Sequence, residues 1–278
     1  MRCRSSVIAA LALLCASMVA RGEEASKYTA WEGFWGRGSP PGVWDPGKPP
    51  GPGQQAPLTP QYQAVYESNL AKAKTGVAFD PKYMCGPVGM PRMMTMGAPM
   101  ELIIRPGTIY MLIETTSPIR RIYTDGRAWP REIDRSYVGY SIGRWLDSDN
   151  DPTHATLEIE TRGLKGLRLM ENTGIPLADD GETIVKEQLT LDRADPNIMH
   201  NDISTDDHAF THPWVVSRIY KRVHDARPQE DNCAEENRLM VIGGRTYMTD
   251  PNGYLMPVQK GEPAPDPQLF QKYFSQQR

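Results

Sequence analysis

Long apolar runs, cysteine and histidine are all scarce in this chain. Its 278 residues include 4 cysteines and 5 histidines, and the hydrophobic share is 39%. The one continuous apolar run, VIAALALLCASMVA near the N-terminus, is shorter than the roughly 20 residues that a membrane-spanning helix needs. An integral membrane protein built on helices is therefore not expected. The signatures of the large catalytic families are also missing. There is no G-x-S-x-G, Walker loop, Rossmann glycine fingerprint or C-x-x-C. His208 and His212 lie four apart, but Ala209, Phe210 and Thr211 separate them without the glutamate of a zinc-protease motif, and Pro213 follows.

The apolar run has a different use. Arg2 and Arg4 precede it, and ARG at 20–22 follows with small residues where a signal peptidase reads them. Residues 1–22 are read as a signal peptide, with export to the periplasm or beyond and a mature start near Glu23. Cys15 raises a lipoprotein alternative, weakened by Leu14 before it where a small residue is expected. Cleavage removes Arg2, Arg4 and Arg21 from 31 basic residues and none of the 34 acidic ones, so 28 face 34. A net charge of −6 argues against sequence-independent nucleic-acid binding. Cleavage also removes Cys3 and Cys15. The remaining Cys85 and Cys233 are expected to form a disulfide in an oxidising compartment. Its loop of about 150 residues limits the entropic stabilisation to roughly 5 kcal/mol.

Glycine and proline are plentiful, at 24 and 25 residues, which favours a loop-rich or all-β chain. Residues 23–58 read as an extended arm, because GSPPGVWDPGKPPGPGQQAP has too many prolines and glycines for a helix or central strand. Trp31, Phe34, Trp35 and Trp44 suit docking of that arm onto the domain. The spacing predicts a helix over 59–76, with Thr59 and Pro60 opening it, Gly76 ending it, and Tyr62, Val65, Tyr66, Leu70 and Ala73 as its apolar stripe.

Over 77–260 the period changes to two. ELIIR, TIYMLIET, PIRRIY, YVGYSIGRWL, ATLEIET, TIVKEQLTL, NIMHNDIST, WVVSRIYKR, LMVIGG and GYLMPV follow one another with no helix between them. The fold class expected is mainly β, an antiparallel barrel or sandwich, ahead of a tail at 261–278.

RRIYTDGR (120–127), SIGRW (141–145), TLEIET (156–161), THPW (211–214) and CAEEN (233–237) occur in that order, after a cysteine followed by GPVGMPR near residue 85. The set resembles a large group of exported bacterial proteins, most of them uncharacterised, over about residues 84–237. The resemblance implies a mainly antiparallel, lipocalin-like β domain and brings no known reaction. Where such proteins run from the tryptophan into a short turn, this chain inserts LDSDNDPTHA after Trp145.

Three constellations offer chemistry. Residues 84–100 hold six of the fourteen methionines beside Cys85. Met84, Met90, Met93, Met94 and Met96 suit loop packing, an apolar pocket lining, or Cu(I), with packing favoured because no histidine or regular Met-x-x-Met repeat supports copper. The inserted loop places Asp147, Asp149, Asp151 and Glu158 at positions 1, 3, 5 and 12 of a calcium loop, although Pro152 stands where glycine normally turns the chain. A solvated acidic turn is the alternative, and no other cofactor is called for.

The third set lies on or beside the strands: Glu114, Arg121, Tyr123, Arg127, Tyr140, Arg144 and Glu160, with Asp125 in a turn and Glu158 beside Glu160. Alternate strand residues share a face. Turned inward, Arg121 with Tyr123 and Glu158 with Glu160 would furnish a small-molecule cavity, with Ile122 outward under the helix and arm. Turned outward, they would form a salt-bridge ladder. The function expected is an exported barrel that binds a small apolar or aromatic ligand. An isomerase or lyase working by acid–base steps, and a structural or partner-binding envelope protein using the Trp-rich arm, are the alternatives.

Overall fold

A computed structural model describes residues 27–39, 55–74, 80, 82, 85–96, 98–114, 119–147, 151–166, 168–170, 174–227, 239–242, 245–249 and 255–257. The leader, Trp44, Met84, Asp149 and Cys233 lie outside them.

Alternating sequence becomes a closed nine-stranded barrel. Its strands are β1 (Gly33–Arg37), β2 (Met100–Arg105), β3 (Thr108–Ile113), β4 (Arg120–Tyr123), β5 (Tyr140–Leu146), β6 (Thr156–Arg162), β7 (Ile184–Leu191), β8 (Ile198–Asp206) and β9 (Trp214–Val223). Each pairs with its neighbour in sequence, and β1 closes the ring by pairing with both β2 and β9. Strands β10 (Leu239–Ile242), β11 (Arg245–Thr249) and β12 (Leu255–Pro257) form a separate three-stranded antiparallel sheet.

The barrel interior takes every second residue: Met100, Leu102 and Ile104 on β2, Ile109, Met111 and Ile113 on β3, Leu157 and Ile159 on β6, Val185 and Leu189 on β7. Burying one such side chain contributes about 1.5–3 kcal/mol, which fixes the register, because a one-residue slip would turn the whole row to water. One pairing departs from the antiparallel expectation. Strands β4 and β5 run parallel, through Ile122↔Ser141 and Tyr123↔Ile142. A hairpin cannot join parallel strands, so residues 124–139 carry the chain back along the barrel.

Three expectations are corrected. The arm does not simply lie on the domain, because Gly33–Arg37 is a barrel strand and Trp31 and Trp35 are fully buried. Helix α1 (Pro60–Lys74) forms as expected, but only part of its expected apolar stripe packs. Val65 and Leu70 are exposed, whereas Asn69 is buried and donates to the Gly174 carbonyl at 2.9 Å. Tyr62, Tyr66 and Asn69, at i, i+4 and i+7, are the packed face. The helix docks at one end of the barrel, where Thr59 N donates to the Ala209 carbonyl and Leu58 bridges to Phe210.

The third correction concerns the faces of β4. Ile122 points into the barrel with no exposed surface, beside Arg120, while Arg121 is exposed and Tyr123 half-buried on the outer face. Ile122 sits opposite Ile109, and a Cβ added to Gly143 on β5 would come within 2.7 Å of its Cγ2. The glycine is what lets β5 approach. Ile122→Ala is expected to cost about 2–4 kcal/mol, and Arg121→Ala to leave the unfolding midpoint within about 0.5 kcal/mol of wild type. Urea unfolding of the two variants checks the pair.

The methionine stretch packs. Met90, Met93 and Met94 are buried in the core, on or beside the short helix α2 (Arg92–Thr95) that closes the barrel end at the start of β2. Tyr220 Oη donates to the Met94 carbonyl at 2.6 Å, Arg218 Nε to the Thr95 carbonyl at 2.7 Å, and Thr95 Oγ1 to the Met170 carbonyl at 2.5 Å. Thioether flexibility suits an irregular plug of this kind.

Candidate functional site

Two polar constellations stand out, one in the barrel and one on it. In the interior, Arg120 from β4 meets Glu187 from β7, with both side chains essentially inaccessible. Arg120 Nη2 also donates to Thr161 Oγ1 at 3.0 Å, its Nε to Ser141 Oγ at 3.4 Å, and Asn201 Nδ2 donates to Glu187 Oε1 at 3.0 Å. Burial pushes the Tyr220 phenol above its usual range, helped by the Glu187 charge. The sequence signal for this set is a polar residue in an apolar phase: Glu187 between Val185 and Leu189, Asn201 between Met199 and Ile203. None of these residues was singled out by sequence.

The residues that sequence did single out gather on the outside. Strands β4, β5 and β6 present Arg121 and Tyr123, then Tyr140 and Arg144, then Glu158 and Glu160 on the outer face. They meet because Tyr140 lies opposite Arg162, Arg144 opposite Glu158, and Tyr123 opposite Ile142. The Tyr123 and Tyr140 rings are 5.0 Å apart. The Arg127 guanidinium covers the Tyr123 ring at 3.8 Å and grips Asp125 at 2.8 and 2.6 Å. Hydrogen bonding from Arg127 holds the Asp125 carboxyl below its usual range. Arg121 stands over the Tyr110 ring at 5.8 Å.

Sequence missed two members of the stack. Trp129, from the connection that makes β4 and β5 parallel, lies 6.0 Å from the Tyr140 ring, and Arg162 covers it at 4.4 Å while bonding Glu160 at 2.6 Å. Arg162 simply continues the outward row of Glu158 and Glu160, so the period of two was its signal. Glu114 follows β3, half-buried, and does not join the stack.

Beside the stack, a groove of about 350 Å³ crosses β5, β6 and β7. Ile142 borders it with Arg144, Glu158, Glu160, Lys186 and Gln188. Arg144 bonds Glu158 at 2.6 Å, and Lys186 stands 4.0 Å from Glu160. The outward ladder is thus the arrangement these side chains adopt.

The three described members of the calcium set have separate partners. Asp147 is paired with Lys27, Asp151 caps the turn at Pro152–His154 by accepting from Thr153 N at 3.0 Å, and Glu158 lies with Arg144 on the outer face. Among the described residues no group of three or more His, Cys, Asp or Glu could hold a metal ion.

Of the histidines, His208 has the closest acidic partner, with Nδ1 at 2.6 Å from Asp180. That hydrogen bond raises its pKa above the usual 6.5. A raised folded value means that the ion pair favours the native state fully below about pH 6.5, and the effect is lost as pH rises through the folded pKa. NMR titration is expected to place the ring midpoint above 6.5, returning toward it in Asp180→Asn.

No family model matches this chain, and comparison with the curated proteins and with the solved structures found no match.

Proposed function

We propose that the protein is an exported binding protein that takes a small ligand on the outer face of its barrel, in the groove over β5–β7 beside the Tyr123, Tyr140 and Trp129 stack. The observation that carries this reading is the order of that surface. Arg127, Arg144 and Arg162 would each be free to sample many rotamers on an ordinary surface, yet each is fixed by a carboxylate and two of them also by a ring. Fixing such side chains on binding costs about 0.5–1.5 kcal/mol apiece, and these pairings meet part of that cost in the free protein. A groove of about 350 Å³ also falls in the range of small-molecule sites.

The barrel interior supports the reading less well, because large side chains fill it and its carboxylate, Glu187, is engaged by Arg120 and Asn201. The same engagement disfavours acid–base catalysis there. A partner-binding role is the second reading, favoured by the composition of the stack, since Tyr, Trp and Arg dominate interface hot spots.

Export follows from the leader, and a Cys85–Cys233 bridge accompanies it. Cys85 and Cys233 are the two cysteines that remain once Cys3 and Cys15 leave with the leader, which supports that pairing.

A native mass spectrum of protein from its own cells is expected to carry an added mass that Tyr140→Ala loses. Equal retention by the variant would place the ligand elsewhere.

A further inference from the structure

We infer that the ligand of the outer groove is a neutral saccharide, an inference that rests on the reading of this face as the binding site. The argument is one of complementarity. The outward side chains that wall the groove are two cations, Arg144 and Lys186, two anions, Glu158 and Glu160, and one amide, Gln188, while the Glu187 side chain beneath them is buried against Arg120. Their formal charges cancel. An anionic ligand would face both carboxylates, a cationic one both cations, and an apolar one would strip water from all four without replacing it.

The donor and acceptor inventory narrows the class further. Guanidinium and ammonium groups only donate, and ionised carboxylates only accept. A hydroxyl does both, so one placed between a carboxylate and its cationic neighbour satisfies the two at once. The 4.0 Å separation of Lys186 Nζ from Glu160 Oε2 leaves that pair open for such an insertion, and Gln188 Nε2 reaches Glu158 Oε1 at only 3.4 Å. Equatorial hydroxyls on alternate carbons of a sugar ring stand at about the spacing of neighbouring strands, roughly 4.8 Å, and so match donors and acceptors on adjacent strands. Ile142 supplies an apolar margin for the carbon–hydrogen face of the ring, and Tyr140 is the next residue on the same face of β5. Strand faces of small barrels are known to serve oligosaccharides in this way.

The test is a glycan array bearing neutral and acidic oligosaccharides, probed with the full mature protein, followed by calorimetry on the strongest hit. A neutral oligosaccharide is expected to bind, with affinity at least tenfold weaker in Tyr140→Ala and at least threefold weaker in Gln188→Ala. Gln188 is exposed on β7, so that variant keeps the fold if Tyr140→Ala does not. An array without neutral hits overturns the inference. If acidic saccharides or a planar aromatic acid bind instead, and Tyr140→Ala removes them, the outer site stands and the saccharide class falls. Binding that neither variant weakens overturns both.

Discussion

Replacing Arg120 by methionine is expected to destabilise the barrel by about 3–5 kcal/mol. The reason is what the substitution leaves behind. Glu187 is fully buried, and without Arg120 its charge keeps the Asn201 amide at hydrogen-bond distance and loses its balancing cation. An uncompensated carboxylate in an apolar interior is among the costliest arrangements a fold can contain. Glu187→Leu alone is expected to be comparably damaging, since it leaves a buried guanidinium with two hydroxyl partners. The double variant separates the pair from its parts. With both charges gone, the site resembles the apolar rows around it, and the double is expected to be more stable than either single. Asn201 Nδ2 and Thr161 Oγ1 then lose a partner each, so recovery is incomplete. Guanidinium unfolding of the four proteins gives the coupling energy. Strictly additive losses would mean that the two charges do not sense each other.

The Arg120 end of that network was not legible in the sequence, for a reason that RRIY makes plain. In this strand each phase holds one arginine and one large apolar or aromatic residue, Arg120 with Ile122 and Arg121 with Tyr123. The pattern contains no local preference for either. What decides the faces is partner register: Ile122 opposite Ile109 on one side and Ser141 on the other puts Ile122 and Arg120 inside. Longer strands were easier to read. In TIVKEQLTL and NIMHNDIST several apolar positions in one phase outvote a single Glu187 or Asn201, which are then carried inward by the majority.

The outer site was legible in part because its members are neighbours in sequence or share a strand face. Arg121, Tyr123, Arg127, Tyr140, Arg144 and Glu160 do assemble, on the side opposite to the one expected. Trp129 was not legible, because its place depends on the path of the 124–139 connection. The helix shows the converse problem. Reading apolar residues alone selects Val65 and Leu70, whereas the buried seam uses Asn69, whose amide finds the Gly174 carbonyl. Strand β1 was hidden by composition, since two of its five residues are glycine and proline crowds its C-terminal flank.

Trp31→Ala is expected to cost about 3–5 kcal/mol, the range for deleting a buried aromatic side chain. The residue belongs to a segment whose composition suggests an extended arm laid on the domain, and it has no exposed surface at all. Its indole Nε1 donates to the Pro152 carbonyl at 2.9 Å, and its own carbonyl accepts from Trp35 Nε1 at 3.0 Å. Its ring meets the edge of Trp145 at 5.0 Å, and Trp145 in turn stacks on Tyr28 at 3.8 Å. Truncation therefore opens a cavity at the barrel end where β5 finishes and leaves the Pro152 carbonyl without its donor. Trp31→Phe keeps an aromatic ring but loses the donor and part of the indole volume, and is expected to cost about 1–3 kcal/mol. Removing residues 23–39 goes further, because β1 is the strand that joins β2 to β9. Both partners would then become open edges, and such edges pair with other chains. Size-exclusion chromatography of the truncated protein is expected to show aggregate, while Trp31→Ala stays monodisperse with a lowered melting temperature. A truncated protein with wild-type melting would mean that the barrel closes without β1.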